Sequence, residues 1–129
     1  MITTLYAGLL AFLYVALTFF VIQGRFKYRV SLGDGGIPAM EKRIRMHGNF
    51  AEYAPLGIFL LFLVDYADFS STIVHALGSI LLVGRLSHAL GILYVTKARQ
   101  LGMVLTLLMI LLSGGFLVFD FFVFRNSGL

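Results

Sequence analysis

Four long apolar runs, separated by three short polar segments, set the frame of this chain. The first is Ile2–Ile22, which carries no charge and only three threonines, Thr3, Thr4 and Thr18. Its twenty-one residues reach about 31 Å as a helix, enough to cross the hydrocarbon core of a bilayer. No basic stretch precedes it, and it is longer than a signal core, so a retained span is expected rather than a cleaved leader. The second run, within a helix expected over Ala39–Tyr66, would extend about 42 Å, so its first two turns stand at or above the membrane surface. Pro38 suits the opening turn of that helix, and Pro55 inside it predicts a kink that frees a carbonyl near Ala51. Thr72–Tyr94 and Gly102–Phe124 are the third and fourth runs.

Composition agrees with this pattern. Of 129 residues, 60% are hydrophobic and 12% charged, against about 25% charged in a soluble domain. The fold class expected is all-α: one transmembrane four-helix bundle over residues 1–129, with no soluble domain and no internal repeat. The chain has no cysteine, which excludes disulfides, thiolate metal sites and cysteine nucleophiles. The net charge of +4 is confined to particular segments, so it speaks for topology and an anionic ligand rather than for nucleic acid. Arg25, Lys27, Arg29, Lys42, Arg43 and Arg45 lie in or beside the first connection, and Lys97 and Arg99 in the third, Val95–Arg99. The second connection, Asp65–Ser70, is acidic. The first and third connections are therefore expected in the cytoplasm and both termini on the opposite side, in a bacterial inner membrane.

The chemistry lies in the polar residues that the apolar runs retain. Arg45, Asn49 and Glu52 follow at i, i+4 and i+7 and so share one stripe of the second helix, with Glu41 a turn earlier and Tyr53 beside it. Arg85 and His88 share a face of the third helix, Arg85 about 14 Å inside its end. A bare arginine there is costly, so a Glu52–Arg85 ion pair is expected. One glutamate does not balance Arg45, Arg85 and Arg99, and an excess of cations in a cleft invites a ligand with several carboxylates or phosphates. Gly78, Gly84, Ser87 and Gly91 give the third helix a small-residue side for close helix contact. Metal is not expected, because His47, His75 and His88 lack ligand spacing. Gly33–Gly36 lacks the lysine of a phosphate loop, no nucleophile elbow is present, and Ser113-Gly114-Gly115 reads as a packing notch. A small proton-coupled exporter would also have four spans and a glutamate, but not one set among arginines.

The run Arg45-Met-His-Gly-Asn49-Phe-Ala-Glu52-Tyr53-Ala-Pro55 resembles the helix-two signature of the membrane-associated proteins in eicosanoid and glutathione metabolism, the MAPEG family. Gly84-Arg85-Leu86-Ser87-His88 resembles the helix-three segment of its prostaglandin E synthase branch, and Arg99 falls where the family has an arginine opening helix four. The resemblance implies a homotrimer that binds glutathione as co-substrate in clefts between subunits and meets lipophilic substrates from the bilayer, a glutathione transferase or peroxidase of detoxification. It implies that Arg45 holds a glutathione carboxylate, that Asn49 and Glu52 fix its polar groups, and that Tyr53, Arg85 and His88 line the same cleft. Arg25 matches a basic ligand-contacting position, and Arg99 would face the sulfur and stabilise the thiolate as the catalytic residue. Two features depart from the pattern: Ile92 stands where members often have tyrosine, and the Arg85–Arg99 spacing is shorter than in that branch. A non-catalytic, lipid-binding relative is the alternative within the family.

Overall fold

A computed structural model describes residues 1–125, with side chains to Val123. It contains four helices, α1 (Thr3–Tyr28), α2 (Pro38–Tyr66), α3 (Ser71–Leu93) and α4 (Thr96–Asp120), followed by a π-helical turn, Phe121–Arg125. All four helices are long and apolar enough to cross a membrane. The all-α, four-span bundle read from the sequence is the observed one.

The helix ends differ from the limits of the apolar runs. α1 continues six residues beyond Ile22, carrying Arg25 and Lys27 in its last turn, where cations complement the helix dipole. Arg29, in the left-handed region at φ 55°, then closes it. α2 includes Asp65 and Tyr66, so the acidic connection shortens to Ala67–Ser70. The basic segment Val95–Arg99 is not a turn, because α4 already begins at Thr96. Hydropathy marks where lipid ends, whereas backbone hydrogen bonding lets a helix run on into water. Pro38 occupies the first turn of α2 as expected, and α2 continues through Pro55. Ser70 caps α3 by accepting from the Ile73 N–H.

The most extensive packing joins α3 to α4; α2 touches the other three helices, whereas α1 meets only α2 and α3 among the described residues. Glycine permits the α3–α4 approach. A methyl at Gly91 would overlap the Arg99 backbone, and one at Gly102 would overlap the backbone of His88. Gly78 instead receives the Tyr6 ring from α1, so the small side of α3 serves two neighbours. Leu61, Val64, Val74, Leu81 and Met109 are fully buried at the centre of the core.

Polar groups at the end holding the α2–α3 connection find partners within the chain. Asp65 accepts from both the backbone N–H and the hydroxyl of Thr3, each at 2.8 Å, which satisfies a donor that the first turn of α1 leaves open. The Tyr6 hydroxyl lies 3.1 Å from His75 Nδ1, 3.0 Å from the His75 carbonyl and 3.0 Å from Ser79 Oγ. This acidic end is a closed polar clasp. Of the expected notch Ser113-Gly114-Gly115, only Ser113 packs inside, fully buried with its hydroxyl 3.8 Å from Met109 Sδ; a methyl at Gly114 or Gly115 would meet open space, so the two glycines serve no close helix contact within the chain.

Candidate functional site

At the opposite, basic end, α2, α3 and α4 diverge around an open cleft of about 600 Å³. That lies within the roughly 300–1,000 Å³ of small-molecule sites. α2 contributes Glu41, Lys42, Arg45 and Asn49, α3 contributes His88 and Ile92, and α4 contributes Arg99, Gln100 and Met103. The cleft exists because the Gly91–Arg99 contact pins the start of α4 against the end of α3, which turns Arg99 toward α2. Three cations against one carboxylate leave its walls positive. Among the described residues, neither the Arg45 nor the Arg99 guanidinium has a hydrogen-bond or ion-pair partner.

Arg85 stands behind this wall rather than in it. It is 1% exposed, and its guanidinium donates from Nε to Thr106 Oγ1 at 2.9 Å and from Nη1 to Asn49 Oδ1 at 2.8 Å. Its third nitrogen, Nη2, is buried without a partner, and the Tyr53 ring lies with its centroid 5.6 Å from the guanidinium carbon. The expected Glu52–Arg85 ion pair does not form. Asn49 and Tyr53, one turn apart, make the edge of α2 nearest α3, and Glu52 lies one step round the helix on its exposed side. A neutral amide and a hydroxyl thus replace the carboxylate as the partners of Arg85.

Of the residues singled out in the sequence, the cleft brings together Arg45, Asn49, His88 and Arg99. Tyr53 and Arg85 form a layer behind it. Glu52 is exposed outside it. Arg25 is also elsewhere: its Nη1 donates to the carbonyls of Ser31 at 3.2 Å and Gly33 at 3.1 Å, which folds the first connection back onto α1. Arg43 is likewise occupied, bonding the Phe20 carbonyl at 2.6 Å and stacking 3.7 Å from that ring. His47 turns from the cleft to α1, where its Nε2 lies 3.0 Å from Thr18 Oγ1. Among the described residues no group of three or more histidines and carboxylates could hold a metal.

Sequence reasoning missed Thr106, Gln100 and Met103. The last two follow from spacing once Arg99 is helical, since Gln100 and Met103 are one and four residues on. Thr106 could have been found as the one threonine in the apolar stretch that follows Arg99, seven residues on and on the same face.

A family model described as the MAPEG family matches residues 3–119. The Inner membrane protein YecN of Escherichia coli strain K12 is 41% identical over 91 residues, which cover 70% of this chain and 70% of that protein. The protein of the same name from Escherichia coli O6:H1 matches to the same extent.

Proposed function

The chain belongs to the MAPEG family, and from that premise we propose that it is a glutathione-dependent membrane transferase or peroxidase. The observation that carries the proposal is the shared wall of Arg45 and Arg99, two unpaired arginines from α2 and α4 in one open cleft. Arg45 and Lys42 suit the carboxylates of the tripeptide, the first through a two-pronged guanidinium contact. Arg99 suits the sulfur. A free thiol has a pKa near 8.5, and a fixed cation beside it lowers that value, increasing the thiolate present at neutral pH. With an electrophile the thiolate forms a C–S bond while the leaving group departs with the bonding pair. With a hydroperoxide it takes the terminal oxygen as the O–O bond breaks and the alkoxide leaves to be protonated to the alcohol; a second glutathione thiol then attacks the sulfur of the resulting sulfenic acid, giving the disulfide and water. Neither route needs a covalent enzyme intermediate; the protein positions and activates.

Assembly as a homotrimer is part of the same reading. Glu52 lies fourteen residues before the Tyr66 end of α2, about 21 Å into the span, yet it is exposed on the single chain. A carboxylate facing lipid at that depth is costly, which favours its coverage by a neighbouring copy. Leu56, Phe59 and Tyr66 extend that exposed face. The distribution of lysine and arginine supports the basic connections lying in the cytoplasm and the termini opposite. The name of the E. coli relatives supports the inner membrane as the location.

Binding without turnover is favoured by one feature. Ile92 lines the cleft where a tyrosine would offer a hydroxyl, and Tyr94 is 78% exposed and outside it. Conjugation of glutathione to a model aryl halide by detergent-purified protein separates the two readings. The transferase reading expects turnover in the wild type and a loss of at least tenfold in Arg99→Ala. Calorimetric binding with no turnover would establish the second reading instead.

A further inference from the structure

Arg85 links three helices without reaching the cleft surface. Its Nε–H donates to Thr106 Oγ1 at 2.9 Å, and the Thr106 hydroxyl donates in turn to the Gly102 carbonyl at 2.8 Å. Its Nη1 donates to Asn49 Oδ1 at 2.8 Å. A guanidinium carries donors only, so the Asn49 atom facing it must be the carbonyl oxygen. The amide orientation of Asn49 is therefore settled by chemistry, and its NH₂ group points away from Arg85. Asn49 lines the cleft, and among the described residues nothing accepts from that NH₂.

The same logic fixes Thr106. It must accept from Arg85, so its single hydroxyl proton is directed to Gly102, and the side chain is fully buried. Gly84 leaves room for this contact: a methyl there would lie 2.9 Å from Thr106 Oγ1 and 3.1 Å from the Gly102 carbonyl. A buried strut thus runs from the α4 backbone through Thr106 and Arg85 to one amide on the wall of the site.

We infer that Thr106 is a positioning residue: through Arg85 it holds Asn49 so that this point of the cleft offers two N–H donors and no acceptor. Such a wall selects a ligand group that is purely an acceptor, a carboxylate or an amide carbonyl oxygen. An ammonium or other donor group meets no acceptor there. The inference rests on the reading of the cleft as a glutathione site, since glutathione has both carboxylate and amide oxygens to offer. Arg45 and Arg99 add charge, whereas Asn49 adds direction.

The test titrates glutathione calorimetrically into wild type, Thr106→Val, Thr106→Ser and Asn49→Asp, with thermal melts alongside. Thr106→Val keeps the volume and removes the hydroxyl, so binding should weaken about fivefold to tenfold, the effect of one hydrogen bond. Thr106→Ser restores the hydroxyl and should return to within about twofold of wild type, which a packing role for threonine would not predict. Asn49→Asp keeps and strengthens the strut, because Arg85 gains a carboxylate, yet presents an acceptor to the ligand; it should melt no lower than wild type and lose binding by about a hundredfold. Wild-type affinity in Thr106→Val or in Asn49→Asp would overturn the inference. Should Thr106→Val fail to fold, Asn49→Asp still decides it. If the wild type binds no glutathione, the functional reading fails on its own. The strut is then read from the Asn49 side-chain amide signals by nitrogen-15 NMR: they should be sharp in wild type and Thr106→Ser and broadened in Thr106→Val. Equal signals in all three would sink it.

Discussion

The two ends of this bundle use similar polar groups to opposite effect. At the acidic end, Thr3 meets Asp65 and Tyr6 meets His75 and Ser79, so each group is answered inside the chain. At the basic end, Arg45 and Arg99 line a cleft of about 600 Å³ with no partner of their own. The difference comes from helix spacing. Tyr6 fills the gap that Gly78 leaves at one end, while at the other Gly91 and Gly102 draw α4 onto α3 and leave α2 standing apart. Polar residues within a membrane span do not identify a site by themselves. Those that the fold leaves unanswered around a shared cleft, as Arg45 and Arg99 are, mark the candidate site.

The largest expected effect comes from collapsing the spacing at the basic end. Gly91→Ala places a methyl against the Arg99 backbone, which cannot yield as a side chain would, and should cost about 3 kcal/mol in a denaturation series while abolishing glutathione binding. Gly78→Ala brings a methyl against the Tyr6 ring, a side chain rather than backbone, so it should cost less and leave binding intact. Equal losses in both would break the contrast between the ends. Next is Arg45→Ala, which should weaken glutathione binding by about a hundredfold with an unchanged melt, since Arg45 supports nothing else in the chain. A shifted melt would mean that its charge is structural after all.

Smaller effects sharpen the comparison from the other side. Tyr6→Phe removes a hydroxyl that engages His75 and Ser79 and should destabilise by about 1 kcal/mol with no change in glutathione affinity. Arg25→Ala should change affinity by less than about twofold, because Arg25 is bonded to the carbonyls of Ser31 and Gly33. A strong binding defect in Arg25→Ala would instead bring the first connection into the site.

Much of this was legible from the sequence, for identifiable reasons. Lipid imposes a long apolar run on each span, so four helices were readable. The i, i+4 and i+7 spacing put Arg45 and Asn49 on a common stripe, and Arg99 stood out as a cation beside an apolar run. Helical spacing gives a residue's angle but not which neighbour occupies it. Charge and matching depth therefore pair Glu52 with Arg85, whereas one step of rotation gives that place to Asn49. Thr106 was hidden because a lone threonine in an apolar run satisfies itself on its own backbone, as it does on Gly102 here. Its second role appears only when α3 is beside it. The reach of α1 to Tyr28 was hidden because lysine and arginine end an apolar run without ending a helix.

The central claim is that the unanswered arginines at the basic end hold glutathione and activate its thiol. A spectroscopic pH titration of bound glutathione, following thiolate absorbance in wild type and in Arg99→Ala, tests it most directly. The account predicts a bound thiol that ionises well below the free value of about 8.5, and one that returns toward it in Arg99→Ala with affinity little changed. Failure of the wild type to bind glutathione, or the same ionisation in both proteins, would contradict it.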